Sequence, residues 1–464
     1  SSNLRNPTNV FGDVGTLTVS LNVTDDGGAT DTVSHPITIT ANQPPVASFT
    51  YAPVAPRIHD LVTFTDTSTD DDGVVSESWL IDRVQLSGPV VKVKACPPAM
   101  NVTLDAFDHA GQSGEATDVI PVSGSIGDVH VPAGADLNAA IASACPGDRL
   151  VLDAGHYTGG VQVPAQITIR GAGMGATFID GPGSDPNHWV LYVTPGATIS
   201  DLTVTGGGIA TGPVNNAGGG IFVVTTVSTR DAAAFSGVEL TGNGGNGAMI
   251  INDQVELVTI THSSFHDNRA DFVGGTAAIA MSCCATVVVD HSEFAHNTGD
   301  GTIRLGEANG VSFVANDVHD NTGVALGIQV SAGPAGTLRE VLLSRFVANG
   351  GGMVSDLELL FAGNLVARNR GFGVSAGHAT ELQVVNSTIA DNSGFGLGAG
   401  IVAFNSIVAG NGTDLDGPLG GGGNNLVGGT PGFVGGGDYH LAPGSPAIDR
   451  GDNSAVPASL TVDA

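Results

Sequence analysis

Lysine is almost missing from this chain. Lys92 and Lys94 are the only two in 464 residues, so no lysine is available as a base or cation after position 94. Charge is scarce too, at 13% of residues, and what there is leans acidic, with a net charge of −30. A nucleic acid needs clustered Lys and Arg to neutralise its phosphates, so nucleic acid and anionic membrane surfaces are excluded as partners. No apolar run reaches the roughly 18 residues of a membrane-spanning helix. Aromatics are only 5%. The four cysteines, Cys96, Cys145, Cys283 and Cys284, show no spacing that suits zinc. In an exported protein Cys96 and Cys145 could bridge a domain junction. The adjacent Cys283 and Cys284 read as buried thiols rather than a strained vicinal disulfide, and sequence leaves the connectivity open.

What is abundant is glycine, 69 of 464 residues, with a positive mean hydropathy of +0.19. Low charge density with positive hydropathy is not the profile of disorder. It predicts many short strands of small and β-branched residues joined by glycine-rich turns. The chain opens at Ser1 in mid-pattern, from which removal of a signal with a larger upstream piece is expected.

Two early segments match each other without gaps. Val19-Ser20-Leu21-Asn22-Val23-Thr24-Asp25-Asp26-Gly27-Gly28 aligns with Val102-Thr103-Leu104-Asp105-Ala106-Phe107-Asp108-His109-Ala110-Gly111. Alternating apolar residues predict a half-buried strand, and Asp-x-x-Gly a turn into the next one. After the linker Asn42-Gln43-Pro44-Pro45 come Val46-Ala47-Ser48-Phe49 and Phe64-Thr65-Asp66-Thr67-Ser68-Thr69-Asp70-Asp71-Asp72-Gly73. These residues resemble the polycystic-kidney-disease (PKD) type of immunoglobulin-like β-sandwich. The resemblance departs at the family's Trp-x-Phe-Gly-Asp-Gly signature, where this chain has Trp79-Leu80-Ile81-Asp82. It implies a divergent sandwich over residues 43–124 and the C-terminal half of another over 1–42.

From about residue 125 the pattern changes. A short amphipathic helix is predicted over about 135–145. Asparagines then recur at 243, 268, 297, 321, 349, 369, 392 and 411, with spacings of 25, 29, 24, 28, 20, 23 and 19. Three residues before each stands an apolar residue, among them Phe265, Phe294 and Phe346. Five before stands Ser or Asn, from Ser263 to Ser406. A period of this length matches one coil of a parallel β-helix. Asn tolerates the left-handed backbone of a sharp turn, and stacked amides can hydrogen-bond along the axis. Phe265 and Phe294 are expected to stack inside.

The helix followed by Leu150-Val151-Leu152 and Ile167-Thr168-Ile169 resembles the opening of pectate-lyase-like β-helices, where a helix caps the first coil. Asn405-Ser406-Ile407-Val408-Ala409-Gly410-Asn411 and Asp438-Tyr439-His440-Leu441-Ala442-Pro443-Gly444-Ser445-Pro446-Ala447-Ile448-Asp449 resemble the end of secreted bacterial β-helix-repeat proteins, with a cap over about 412–464. The fold expected is therefore all-β: a right-handed parallel β-helix over 125–464 behind PKD-type sandwiches, in an extracellular or cell-surface protein.

Resemblance to this fold raises enzymes, because it carries polysaccharide lyases, polygalacturonases and epimerases. The lyases need an Arg or Lys base and a means of neutralising a uronate carboxylate. The Gly-His-Gly and Arg-Ile-Lys elements of polygalacturonases and the Asp-Pro-His-Asp element of epimerases are absent. The catalytic candidates are Arg304, Arg269, His291, Glu293 and Asp300, within a wider run of His262, His266, Asp267, Asp271 and His296. The plainer reading is that solvated turn positions simply carry polar residues. Asp70, Asp71 and Asp72, and Asp25 and Asp26, offer hard oxygens suited to calcium, against the plainer reading of Asp-Gly turns. The sequence therefore favours a non-catalytic structural or adhesive protein. It would self-associate through its incomplete first sandwich or engage other surface proteins or polysaccharide. The alternatives are a polysaccharide lyase acting on uronate polymers and a carbohydrate-binding module.

Overall fold

The computed structural model describes all residues except 182–188, 209–217, 225–230, 253–254, 283–284, 331–338, 357, 378–381, 459 and 461–464. Cys283 and Cys284 thus lie outside the described residues, while Cys96 and Cys145 are both disulfide-bonded. The chain divides into two units, Ser1–Ser125 and Ile126–Ala464. Among the described residues no helix is long and apolar enough to cross a membrane.

In the first unit, two antiparallel sheets make a sandwich. One joins Phe49–Ala52, Leu61–Asp66 and Val90–Lys94; the other joins Val84–Ser87, Ser76–Ile81, Ala99–Phe107 and Ser113–Pro121. Period-two alternation places Val62, Phe64, Trp79, Ile81, Met100 and Leu104 inside, all fully buried. The indole N–H of Trp79 donates to the Gly88 carbonyl at 2.9 Å, which satisfies its one polar atom.

The strands Gly15–Thr24 and Thr30–Ile39 form a separate two-stranded hairpin. Its register pairs Leu21 with Val33, and the sandwich pairs Leu104 with Ala116. The internal sequence repeat is thus also a structural one, strand for strand. The difference is burial. Leu104 is 0% exposed, whereas its counterpart Leu21 is 59% exposed.

The second unit is a parallel β-helix. The helix Leu137–Ser143 is capped by Asp136, whose carboxylate accepts the Asn138 and Ala139 N–H groups. Leu137 is buried, and Ala140 and Ile141 pack on the solenoid core, so the helix covers apolar side chains of the first coils. Most coils then supply two strands to one long parallel sheet and one to a second sheet. The coil around residue 260 gives Leu257–Thr261 and Ser264–His266 to the long sheet and Thr276–Met281 to the second.

Two polar ladders run along the axis. In the first, the Asn268 N–H and side-chain amide donate to the Asn297 side-chain oxygen at 3.1 and 3.0 Å, and Asn297 repeats this onto Asn321. Each amide also donates to a core-strand carbonyl, as Asn321 does to Phe294 at 2.9 Å. The last rung, Asn411, has no following asparagine. Asp414 accepts both of its donors instead. The second ladder is the Ser/Asn row, where Ser292 N–H meets Asn316 and Asn316 N–H meets Ser344.

One expectation needs correction. The ladder asparagines do not themselves adopt the left-handed backbone. The residue before each does: Asp267, His296, Asp320, Arg368 and Asp391 have φ of 55°, 56°, 55°, 56° and 56°. A left-handed residue at that corner turns the chain so that the following amide points inward along the axis. The asparagines that are left-handed, Asn386, Asn405 and Asn424, sit at the other turn.

Inside, Phe265 and Phe294 stack at 4.9 Å, and Phe313, Phe346 and Phe361 continue the column. Coils approach closely where side chains are absent. A Cβ on Gly350 would lie 1.9 Å from the Thr322 carbonyl oxygen.

Candidate functional site

The second sheet presents an outward row in strict register: Gln162, Tyr192, Phe222, Ile250, Ala280, Arg304, Gly327, Val354 and Ser375. Arg304 is exposed, and its ladder neighbour is Gly327, with Gln329 two residues on. Arg304 lines a shallow depression of about 100 Å³ with Asp300, Gln329 and Asp356. Its guanidinium reaches the Gly274 carbonyl at 3.4 Å, while Asp300 accepts the Gly274 N–H.

The remaining candidates do not join Arg304. Arg269 is ion-paired to Asp271 at 2.7 Å in the loop after its ladder asparagine. His291 and His262 stand at the left-handed turn within the long sheet, their rings stacked at 5.3 Å. Glu293 is on the outer side of the long sheet, 3.1 Å from His319. Arg304 with Asp300 therefore belongs to one wall, and His291 with Glu293 to the other sheet. The expectation of one cluster fails because residues adjacent in sequence are sent round the coil to different sheets.

Spacing missed a pair of acid–histidine contacts that only strand register could reveal. His266 lies between Glu239 at 3.0 Å and Asp267 at 2.8 Å, and His319 between Glu293 at 3.1 Å and Asp320 at 2.9 Å. Burial pulls both imidazoles down, but hydrogen bonds to these carboxylates outweigh it and raise both. Glu239 is raised by burial and lowered more by Thr203 and His266, with a net fall.

A histidine raised in the native state lends stability in full below its ordinary 6.5 and loses it as pH rises through the native value. A lowered glutamate lends stability above its ordinary 4.5 and loses it as pH falls through the native value. Their joint contribution is therefore greatest between these two limits and falls on either side of them. Urea midpoints measured from pH 5 to 9 should decline in the wild type and decline less in His266→Gln/His319→Gln. Equal slopes would remove these pairs from the account.

Aromatic side chains meet near the start of the outward row. Trp189 stacks on Phe222 at 5.2 Å, and Tyr192 meets Phe222 edge-on at 6.2 Å. Tyr157, by contrast, is 1% exposed and donates to the Val131 carbonyl.

In the sandwich, Asp70, Asp71 and Asp72 bring three carboxylates within 4.8 Å of one another. One Asp70 oxygen is buried without a hydrogen-bond partner, while the other accepts the Asp72 and Gly73 N–H groups. Asp72 is raised because its protonated carboxyl can donate a hydrogen bond to the Asp70 carboxylate, with burial and the crowding of like charges adding to the rise. That donor set fits a hard cation. Asp25 spends one oxygen on the hairpin turn, accepting the Ala29 N–H at 2.9 Å. Among the described residues no third carboxylate joins Asp25 and Asp26.

The stacked parallel coils, inward amide ladder and capping helix define a right-handed parallel β-helix protein. The family model for a right handed beta helix region matches residues 196–430, and the chain belongs to that family. No curated protein sequence matches it. Among solved structures it is similar to a β-sandwich-superfamily carbohydrate-binding module structure, at 30% identity over 19% of this chain and 38% of that one, with a TM-score of 0.18. It thus spans 38% of that chain's length. It is also similar to the A-module of a mannuronan C-5 epimerase from Azotobacter vinelandii, at 16% identity over 67% of this chain and 97% of that one, with a TM-score of 0.36. A pectate lyase shares 13% identity over 72% of this chain and 94% of its own, with a TM-score of 0.43.

Proposed function

We propose that the protein is a non-catalytic extracellular or cell-surface scaffold, structural or adhesive, that assembles through its N-terminal hairpin. One observation carries this reading. Leu17, Val19, Leu21, Val23, Val33 and Ile37 occupy the positions that Met100, Val102, Leu104, Ala106, Ala116 and Ile120 hold in the complete sandwich. There all but Ala116 are buried; on the hairpin Leu21, Val23 and Val33 are 59%, 52% and 48% exposed. An apolar sheet face with open edges gains by covering itself, and a second copy of the chain is the partner proposed. Sedimentation velocity should find species larger than the monomer that Leu21→Asp/Val33→Asp dissociates. A wild type that stays monomeric at every concentration overturns the reading. Calcium at Asp70, Asp71 and Asp72 would stiffen the neighbouring sandwich. It predicts a calcium-dependent rise in melting temperature that Asp70→Asn removes.

The lyase reading rests on Arg304 beside Asp300 and Asp356. Against it, the other candidate acids and bases lie elsewhere, and Asp300 is occupied by Gly274. Ultraviolet absorbance from unsaturated ends in uronate polymers, lost with Arg304→Ala, would decide for it.

A further inference from the structure

The C-terminal segment turns back over the outer side of the last coils. Tyr439 donates to the Asp391 carboxylate at 2.9 Å. Asn405 exchanges two hydrogen bonds with the Asp452 backbone, at 2.8 and 2.9 Å. Leu460 packs with Leu342, Ala362 and Val385. Between these anchor points the segment does not close on the solenoid. A cavity of about 1150 Å³ remains.

Its floor is a single registered column, Arg345, Leu365, Thr388, Ile407 and Leu426, one residue from each of five successive coils. Coils stack about 4.8 Å apart, so the column is roughly 19 Å long. The cavity is a groove, shaped for a chain rather than a compact molecule. Along its rim stand the left-handed Asn386, Asn405 and Asn424. Asn405 is committed to Asp452. The Asn386 amide nitrogen and the whole Asn424 amide have no hydrogen-bond partner among the described residues.

Arg450 also lines the groove, exposed and without an acidic partner among the described residues. Its guanidinium is thus open to a ligand, in a chain of net charge −30. Its planar fork suits a carboxylate. The floor strands of Arg345, Leu365, Thr388 and Ile407 are hydrogen-bonded on both sides within the solenoid, so along most of its length the groove offers no open sheet edge to a peptide backbone; the strand of Leu426, last in the long sheet, is paired on one side. What it offers is two open amides, Asn386 and Asn424, two coils or roughly 9.6 Å apart, beside a largely apolar floor. That spacing suits a chain of similar rings that lays C–H faces on Leu365, Ile407 or Leu426 and brings a hydroxyl edge of every second ring to an amide.

We propose that this groove beneath the C-terminal segment binds a carboxylate-bearing oligosaccharide, with Arg450 holding a carboxylate and Asn386 and Asn424 holding ring hydroxyls. The site is separate from the Arg304 wall and independent of hairpin assembly, since a monomer can still bind glycan.

Isothermal titration of the full chain with hexamers of galacturonate and of mannuronate tests this. The methyl-esterified galacturonate hexamer and hexaglutamate serve as controls. An acidic hexamer should bind, the ester should bind about tenfold more weakly, and hexaglutamate should not bind. Arg450→Gln should weaken the acidic hexamer about tenfold and leave the ester unchanged, whereas Asn424→Ala should weaken both. Both side chains are at the surface, and unchanged melting temperatures would show that the fold is kept. The proposal is overturned if neither acidic hexamer binds, or if hexaglutamate binds as well. It is equally overturned if binding survives Arg450→Gln and Asn424→Ala but is lost with Arg304→Ala.

Discussion

Phe294→Ala should lower the unfolding free energy by about 4 kcal/mol, the range for removing a buried aromatic ring. Phe294 is 0% exposed and lies between Phe265 at 4.9 Å and Phe313 at 6.2 Å. Its neighbours are fixed to rigid strands on both sides, Ser264–His266 and Asp317–His319. The hole cannot collapse without breaking register, so the cavity cost stays high. In a solenoid each coil touches mainly its neighbours, so the damage should stay local. Hydrogen exchange should quicken first in the strands around residues 265 to 318 and leave the helix-capped end protected. Urea unfolding gives the energy; a loss under 1 kcal/mol would mean the column bears little of the core.

Asn321→Ala should cost a similar amount, roughly 4 kcal/mol, by a different route. The Asn321 side-chain oxygen accepts from the Asn297 N–H and side-chain amide at 2.9 and 3.0 Å. Its amide donates to Phe294, His319 and Asn349 at 2.9, 2.9 and 2.8 Å. The residue is fully buried. Truncation leaves donors on one side and acceptors on the other with no water to replace them, and such losses outweigh the net worth of any one bond. Asn321→Asp should be worse near neutral pH, because a carboxylate cannot donate to the three oxygens that face it. It should recover part of the loss in acid, once protonated. Matching melts for the alanine and aspartate variants at pH 7 would refute the ladder's directionality.

The two ladder ends show what a repeat can and cannot tell. Eight asparagines with an apolar residue three before each were readable because the coil repeats one environment, and a repeated environment selects a repeated residue. Asp414 was not readable as the ladder's terminator. It stands outside the repeat, and its role exists only because Asn411 has two donors and no next rung. Likewise the helix over Leu137–Ser143 was legible from its apolar spacing. The left-handed corner was assigned one residue late, since the repeat marks the Asn while its predecessor varies from Asp267 and His296 to Ala348 and Gly410, and the pattern does not say which of the two turns.

The candidate site fared differently. Arg269, His291, Glu293, Asp300 and Arg304 are close in sequence, yet the coil distributes them between two sheets and their loops. The pairs that form, Glu239 with His266 and Glu293 with His319, join residues 27 and 26 positions apart. Those separations equal one coil offset by strand register, and each coil has its own length.

By itself, then, the sequence determined the class of fold, the coil period, the inward amide ladder, the phenylalanine stack and the capping helix. All of these follow from local rules repeated along the chain. Tertiary structure alone decided which charged groups meet, where the C-terminal segment leaves a groove, and that the hairpin's apolar face stays uncovered. The reason is geometric. Loops of unequal length set which residue lies above which, and a surface is made by that stacking rather than by neighbours in the chain.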